Sequence, residues 1–395
     1  MKKIFTLLVL IVFVFGLHAQ SGQTNKTMQY GGVERQYIEY IPANVLSPAP
    51  VVFVLHGLGD DMGNMFNATG FKQIADQHGW IVIVPQALEA NVSLMGQNIS
   101  LGTAWNSGVS ANLSFLGNII VNDGVDDSGF IMAILDDLIS TYNVDQANVF
   151  SMGFSMGGLM SNRLAIEHGD RINAIAAVSG TIGNEVKTHT PVANVNTLHF
   201  HGTSDSTVGY DNADFNVTVM SASVGLGAEA TVDYWRNYNQ CNATPTVTNF
   251  PNSANDGLTF EKYAYDNGNN GSKTHFIKVI GGDHTWYYTP NNDIDYTTEI
   301  YNFFASCLVG GNDIDDNDNN NNNNNVLIFP NPANNILSIQ GEGISEVRLF
   351  NDLGQQVMTS TTSTLNVSAL SQGLYTAQIL FHDGQSMTSK VIISR

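Results

Sequence analysis

The stretch that decides the fold is NVFSMGFSMGGLMSNRL, residues 148–164. Its first residues form an apolar run, typical of a strand buried on both faces, and the part after Ser155 places apolar side chains at helical spacing. Strand and helix meet at a G-x-S-x-G sequence, GFSMG, residues 153–157. A turn this sharp strains the residue at its tip and needs glycines beside it. The stretch therefore predicts that Ser155 stands exposed at a sheet edge as a nucleophile, although small residues also pack ordinary turns.

Other apolar runs along the chain are predicted as further strands. They are Pro50–Leu55, Trp80–Val84, Thr197–Phe200 and Thr274–Ile280. A helical pattern with apolar residues at i and i+4 opens after Asp126 and Asp127, which are good N-cap residues. This alternation predicts an α/β fold, a three-layer sandwich around a mostly parallel, doubly wound sheet. In such sheets the functional residues lie at the carboxyl ends of the strands.

A serine hydroxyl is a strong nucleophile only when a base removes its proton and a carboxylate orients that base. Asp205 and His284 each follow a predicted strand, in the loop just beyond its end. Both should therefore lie at the same sheet edge as Ser155, as the acid and the base. Asp211 and Asp214 are the competing acids, but Asp205 comes first after its strand.

Acyl transfer also needs hydrogen-bond donors for the negative oxygen that develops on the substrate. We expect the backbone N–H groups of Leu58, in a Gly-containing loop after the first predicted strand, and of Met156 to supply them. Trp105 and Trp286 are predicted to line the substrate site as an apolar rim. The alternative for each tryptophan is packing in the core.

The charge balance limits the partners of this chain. It has 15 basic and 35 acidic residues, a formal net charge of −20. Such a balance argues against nucleic acid or anionic lipid over a broad surface and favours an uncharged substrate. We expect no cofactor, no metal and a monomer.

Composition changes divide the chain into four predicted segments. Residues 1–19 follow the pattern of a cleaved signal peptide, whose apolar run is short for a membrane anchor. Residues 20–309 form the α/β domain, and residues 310–325, rich in Asn and Asp, a flexible linker whose spacing fits a calcium loop poorly. Residues 326–395, with short alternating segments, predict a small all-β sandwich. No stable membrane span is expected.

The chain has two cysteines, Cys241 and Cys307. In an exported chain a pair of cysteines predicts one disulfide. The alternative is two buried free thiols.

Four motifs in this order carry a resemblance to a known family. The HG loop at 56–57, GFSMGG at 153–158, HGTSD at 201–205 and GGDHTW at 281–286 resemble the secreted polyhydroxybutyrate depolymerase and feruloyl esterase (LpqC-like) branch of the α/β-hydrolases. The resemblance covers roughly residues 28–308 and implies a triad of Ser155, Asp205 and His284. Relatives cleave polyesters, feruloyl or acetyl esters of plant polysaccharide, or small esters. The AWNSG segment at 104–108 departs from the family, where many relatives have more Trp and Cys.

The last segment resembles a second family. FPNPANN, LFNDLGQQV, LSQGLYTAQI and the final KVIIS are similar to the type IX (Por) secretion sorting domain. The resemblance implies passage across the outer membrane by the type IX machinery, and a secreted or cell-surface location. A carbohydrate-binding module, the alternative, would show more exposed aromatic residues.

Together these features predict an exported serine carboxylic-ester hydrolase. A polyester, either a poly-hydroxyalkanoate or an aromatic polyester such as PET, is the favoured substrate. The alternatives, in order, are a feruloyl or acetyl esterase on plant polysaccharide, an α/β-hydrolase peptidase, and a surface-binding protein without catalysis.

Overall fold

The computed structural model describes residues 21–94, 97–113, 117–217, 220–309, 326–329, 333, 335–341, 343–351, 354–362, 364–382 and 386–393. The predicted signal peptide, 1–19, and the predicted linker, 310–325, lie outside these residues. The chain divides into two compact units, Met1–Asn312 and Asp313–Arg395. The four segment boundaries drawn from the sequence stay predictions.

The first unit contains sixteen strands within its described part. They are β1 (Gly22–Tyr30), β2 (Val33–Ile41), β3 (Ala49–Leu55), β4 (Ile81–Pro85), β5 (Leu88–Leu94), β6 (Gln97–Ala104), β7 (Ser110–Leu113), β8 (Gly117–Ile120), β9 (Val144–Phe154), β10 (Ala174–Val178), β11 (Asn196–Gly202), β12 (Asp214–Val217), β13 (Met220–Ser223), β14 (Thr246–Asn249), β15 (Thr259–Tyr265) and β16 (Thr274–Ile280).

Six α-helices accompany these strands in the described residues. They are α1 (Met62–Ala68), α2 (Phe71–His78), α3 (Asp127–Thr141), α4 (Met156–His168), α5 (Ala228–Asn239) and α6 (Tyr296–Ala305), with a short 3₁₀ helix at Asn269–Gly271. The predicted helix after Asp126 is α3, and the Asp126 side chain caps it by accepting the Gly129 N–H. The helix predicted after Ser155 is α4.

A ten-stranded sheet forms the centre of the first unit, in the order β1-β2-β4-β3-β9-β10-β11-β16-β15-β14. The six strands from β4 to β16 run parallel, and the pairs at each margin are antiparallel. Every residue of β3, β4 and β10 is buried. Residues of α3 and α4 pack on one face, and residues of α1, α2 and α6 pack on the other. The predicted three-layer, mostly parallel α/β fold is confirmed.

Three two-stranded hairpins stand apart from this sheet, β5–β6, β7–β8 and β12–β13. They lie in the segments 88–120, after β4, and 214–223, after β11. The sequences of β5, LEANVSL, and β12, DFNV, alternate apolar and polar residues, which is the signal of a strand, and sequence reasoning missed it.

The second unit is antiparallel throughout its named strands. These are β17 (Leu327–Phe329), β18 (Ile336–Gln340), β19 (Ile344–Phe350), β20 (Gln356–Ser360), β21 (Thr364–Asn366), β22 (Gly373–Phe381) and β23 (Ser386–Ile393). They form a three-stranded sheet, β17-β18-β21, and a four-stranded sheet, β20-β19-β22-β23. Alternate residues such as Val347 and Leu349 are buried in a core of their own. The predicted all-β tail is confirmed.

Among the described residues, no helix combines the length and the apolar character that crossing a membrane requires.

Candidate active site

The predicted nucleophile lies at the sharp turn between β9 and α4. Ser155 has φ 56° and ψ −120°, a strained backbone conformation for a residue with a side chain. Its N–H donates to the Val178 carbonyl of β10 at 2.8 Å, which fixes the turn to the sheet. A Cβ on Gly153 would collide with Gly157, and one on Gly157 would collide with the Leu55 carbonyl of β3. Glycine is therefore required on both sides of Ser155, as the G-x-S-x-G pattern predicts.

The predicted acid and base are in direct contact. His284 Nδ1 lies 2.8 Å from Asp205 Oδ2, although the two loops are far apart in sequence. Asp205 is buried, and its other oxygen accepts the N–H groups of Thr207 and Val208 at 2.9 and 2.8 Å. Burial alone would raise the pKa of Asp205, but the hydrogen bond from His284 and these contacts hold it below its ordinary value. An ionised Asp205 keeps the proton of His284 on Nδ1 and leaves Nε2 free to act as a base.

A second carboxylate ties the two loops together. Asp283 Oδ1 accepts the N–H of Ser206 at 2.9 Å and the N–H of His284 at 2.8 Å. These backbone hydrogen bonds lower the pKa of Asp283. Sequence reasoning missed this residue. The sequence does contain a signal for it, because Asp283 directly precedes the predicted base, and Asp side chains commonly accept hydrogen bonds from backbone N–H groups in turns.

Phe154, the residue before Ser155, contacts His284. The centroids of the two rings are 4.8 Å apart. In the described part of the chain, no hydrogen bond joins Ser155 Oγ to His284. Contacts of this kind are often long before substrate binds. The structure thus brings Asp205 and His284 into contact and places Ser155 nearby.

The loop after β3 runs directly beside the nucleophile. A Cβ on Gly57 would lie 3.4 Å from the Ser155 Cβ. The backbone N–H groups of Leu58 and Met156, the predicted oxyanion donors, have no hydrogen-bond acceptor among the described residues. Two free N–H groups next to Ser155 are what a developing oxyanion requires.

A buried histidine holds this loop in place. His56 Nε2 accepts the Ala87 N–H at 3.1 Å, so its proton is on Nδ1, which donates to the Gly57 carbonyl at 2.8 Å. Burial lowers the pKa of His56, which keeps the ring neutral. On the other side of the loop, the Gly59 N–H donates to Thr103 of β6 at 2.8 Å. The HG pair at 56–57 is part of the family resemblance, but the role of His56 in holding the loop was not predicted from the sequence.

The prediction that Trp105 lines the substrate site is wrong. Its side chain is 0% exposed, and its Nε1 donates to the His56 carbonyl at 2.9 Å. The neighbouring Asn106 is held by Asp127, which accepts the Asn106 N–H at 2.7 Å. Trp105 therefore packs in the core, as the alternative for this residue states, and its hydrogen bond to His56 holds the loop after β3.

Trp286 differs from Trp105 because it is only half buried. Its ring meets Phe154 edge-on, with centroids 6.4 Å apart and an interplanar angle of 77°. It also packs on Tyr296 at 5.8 Å. Its role in binding substrate stays a prediction.

The predicted disulfide is not formed, because Cys241 and Cys307 are both free thiols. Cys241 Sγ lies 3.8 Å from Thr274 Oγ1, whereas the next residue of β16, His275, packs on Phe303 of α6. Successive side chains of a strand point to opposite faces, so Cys241 and Cys307, just after α6, lie on opposite sides of the sheet. The alternative, two buried free thiols, holds in part, because both cysteines are free, but only Cys307 is buried and Cys241 is half-buried. Burial raises the pKa of Cys307 to about 11.

Comparison with known proteins identifies two families. Residues 36–234, half of the chain, match the phospholipase/carboxylesterase family. Residues 327–394 match the secretion system C-terminal sorting domain. This type IX sorting domain assigns the chain to the cell surface or the extracellular space.

Three curated relatives are esterases by name. The bifunctional acetylxylan esterase/xylanase XynS20E of Neocallimastix patriciarum is 24% identical over 282 residues, 71% of this chain and 34% of the relative. Feruloyl esterase B of Neurospora crassa is 28% identical over 36% of this chain and 42% of its own length. An acetylxylan esterase of Coprinopsis cinerea is 29% identical over 38% of this chain and 36% of its own. The chain thus covers less than half of each of these relatives.

Solved structures match more remotely. An acetyl xylan esterase from Aspergillus awamori has 14% identity and a TM-score of 0.48, over 71% of this chain and 99% of its own. An S-formylglutathione hydrolase from Agrobacterium tumefaciens has 13% identity and a TM-score of 0.46, over 75% and 99%. From its family match and its sheet topology, the chain belongs to the phospholipase/carboxylesterase family, with the α/β-hydrolase fold, and it carries a type IX secretion sorting domain.

Proposed function

We propose that this chain is an exported serine carboxylic-ester hydrolase. The observation that carries the proposal is the 2.8 Å contact between His284 and Asp205 at the sheet edge where Ser155 follows β9. Family membership and the two unbonded N–H groups beside Ser155 support it. Neither a peptidase nor a non-catalytic binding protein is favoured by a separate observation.

In the proposed mechanism, Ser155 Oγ attacks the ester carbonyl carbon while His284 Nε2 takes the hydroxyl proton. Asp205 stabilises the imidazolium, and the N–H groups of Leu58 and Met156 donate to the oxyanion of the tetrahedral intermediate. The C–O bond of the ester then breaks, and His284 gives its proton to the leaving alcohol. A water, deprotonated by His284, hydrolyses the acyl-enzyme and restores Ser155.

For the substrate, we propose an acetyl or feruloyl ester carried by a neutral polysaccharide. The names of the relatives point to acetylxylan and feruloyl esters. The polyester favoured by the sequence loses part of its support, because Trp105 is buried and cannot contribute to an apolar rim. Polyester stays the second candidate, favoured by the aromatic pair Phe154 and Trp286 beside the site.

The sorting domain indicates a protein partner. We propose that residues 326–395 engage the type IX secretion machinery, in keeping with the family match over 327–394. The expectation of a monomer also stays a prediction.

The test compares the full chain with Ser155→Ala on p-nitrophenyl acetate, acetylated xylan, methyl ferulate, poly-hydroxybutyrate film and amorphous aromatic polyester. We expect Ser155→Ala to lower kcat at least about 10³-fold, since it removes the nucleophile. His284→Gln and Asp205→Asn should each lose a similar amount. Ser140→Ala, at an exposed serine of α3, is the matched control and should keep wild-type activity.

Two results would contradict the proposal. One is full ester hydrolysis by Ser155→Ala, and the other is a wild-type chain that cleaves none of these esters, which would favour a peptidase or a binding protein. Release of acid from polyester film, without activity on acetylated xylan or methyl ferulate, would overturn only the choice of substrate.

A further inference from the structure

A cavity is lined in part by Trp286, the residue whose ring also contacts Phe154. It has a volume of about 380 Å³ and lies among α1, α2, the loop at 286–289 and the start of α6. This volume is in the range of about 300 to 1,000 Å³ that small-molecule sites occupy. The side chains that matter for a ligand are Gln73, Gln77, Trp286, Tyr288, Asp295 and Thr298.

The polar groups of this cavity are available to a ligand. Within the described residues, the amides of Gln73 and Gln77, the indole N–H of Trp286 and the Tyr288 hydroxyl make no hydrogen bond to the protein. Asp295 caps α6 with one oxygen, which accepts the Thr298 N–H at 2.8 Å, and its second oxygen makes no hydrogen bond in this part of the chain. The cavity therefore offers both donors and acceptors.

Two aromatic side chains supply an apolar surface beside these polar groups. Tyr288 is 51% exposed, so much of its ring is open to a ligand. Trp286 is half buried, with its ring also edge-on to Phe154. The lining contains no Lys, Arg or His. A site without cations does not favour an anionic ligand, in agreement with the acidic character of the whole chain.

Sugar rings fit this combination better than polyesters do. A neutral pyranose has apolar C–H faces that stack on aromatic rings, and its rim of hydroxyls both donates and accepts. The interior of a polyester chain has only acceptors, so it would leave the second oxygen of Asp295 and the two amide oxygens without donors. Unsatisfied polar groups of this kind reduce affinity.

The cavity is connected to the catalytic loop through Trp286. Its ring contacts Phe154, and the Phe154 ring contacts His284, so a residue that lines the cavity is two ring contacts away from the predicted base. We propose that this cavity is an accessory subsite for a neutral sugar chain, which holds the polymer while an acylated unit reaches Ser155. The subsite rests on the proposed function, because it assumes that the ester to be cleaved is carried by a polysaccharide.

The test measures binding rather than hydrolysis. Unacylated xylohexaose and cellohexaose are titrated into the full wild-type chain, and a 3-hydroxybutyrate trimer, which contains ester bonds, into the full Ser155→Ala chain. Affinity is measured by calorimetry and contacts by saturation-transfer NMR. We expect at least one hexasaccharide to bind and the trimer not to bind. Tyr288→Ala and Gln77→Ala should each weaken saccharide binding about tenfold, whereas Tyr288→Phe, which keeps the ring, should lose less.

Gln29→Ala, at an exposed glutamine of β1, is the matched control for Gln77→Ala and should bind as the wild type does. The subsite is wrong if neither hexasaccharide binds, or if binding is unchanged in both Tyr288→Ala and Gln77→Ala variants that melt like the wild type. It is also wrong if the hydroxybutyrate trimer binds in the same place. Because these probes carry no cleavable acetyl or feruloyl ester, hydrolysis of p-nitrophenyl acetate reports separately on the proposed function.

Discussion

Two buried histidines behind Asp205 are held in defined tautomers. His201 Nε2 lies 2.8 Å from the Val208 carbonyl, so it carries the proton and donates it. His201 Nδ1 is then an acceptor for His199 Nε2–H at 3.2 Å. Burial lowers the pKa of both histidines, which keeps them neutral. Since the Val208 N–H also donates to Asp205, His201 positions the loop that carries the predicted acid.

We predict that His201→Leu reduces kcat by at least about tenfold and leaves KM nearly unchanged. The variant loses the hydrogen bond to Val208 and frees the Asp205 loop, without touching the substrate site. His201→Gln should restore most of the activity, because its amide can donate to the same carbonyl. The measurement is kcat and KM on p-nitrophenyl acetate from pH 5 to 9. A folded His201→Leu variant with wild-type kcat throughout this range would exclude a positioning role.

At the scale of secondary-structure elements, a buried ion pair joins β2 to α3, and its carboxylate also holds the segment that carries Trp105. Arg35 Nη2 lies 2.6 Å from Asp127 Oδ1, with side chains 1% and 0% exposed. The other Asp127 oxygen accepts the Asn106 N–H, and the Arg35 guanidinium lies 3.9 Å above the Phe130 ring. Burial raises the pKa of Asp127 although Arg35 opposes the shift. The carboxylate therefore depends on Arg35 for its charge.

We predict that Arg35→Met lowers the free energy of unfolding by about 3–5 kcal/mol, because it leaves a buried carboxylate without its partner. The double variant Arg35→Met/Asp127→Leu should be less unstable than Arg35→Met, since it removes both charges. Urea unfolding monitored by tryptophan fluorescence gives both values. A double variant less stable than Arg35→Met would mean that the hydrogen bond from Asn106 matters more than the unpaired charge.

This ion pair also marks the limit of what sequence reasoning can predict. The apolar runs of β3, β4, β9, β11 and β16 and the loops after them were predicted, because a buried parallel strand leaves a local signal. Strand β10, AIAAV, is short and made mostly of alanine, and it was missed. Arg35 with Asp127 and the separation of Cys241 from Cys307 depend on residues far apart in sequence. No spacing in one chain predicts such contacts.

Over the whole molecule, neutral histidines that are buried or half-buried make stability depend on pH. Burial lowers the pKa of His56, His78, His199, His201 and His275. An unfolded chain protonates such groups near pH 6.5, whereas the folded chain resists protonation. The unfolded state then binds more protons, so stability is complete above about pH 6.5 and falls as the pH drops towards the folded-state values.

His78 is the best place to measure this effect, because its pKa is lowered to about 4. Its Nδ1 lies 2.8 Å from the Tyr301 hydroxyl, and the two rings stack 4.0 Å apart. Protonation would place a positive charge in this contact, where burial disfavours the charged form of the ring. We predict that the melting temperature of the wild type falls from pH 7 to pH 5, and that it falls less in His78→Gln, which cannot take up the proton.

Tryptophan fluorescence suits this measurement, because all four tryptophans lie before residue 310 and report on the first unit. His189→Gln, at an exposed histidine, is the matched control and should show the wild-type fall. If His78→Gln loses as many degrees as the wild type between pH 7 and pH 5, the acid sensitivity comes from the other buried histidines. In that case, proton uptake by His78, at the contact between α2 and α6, does not drive the loss of stability.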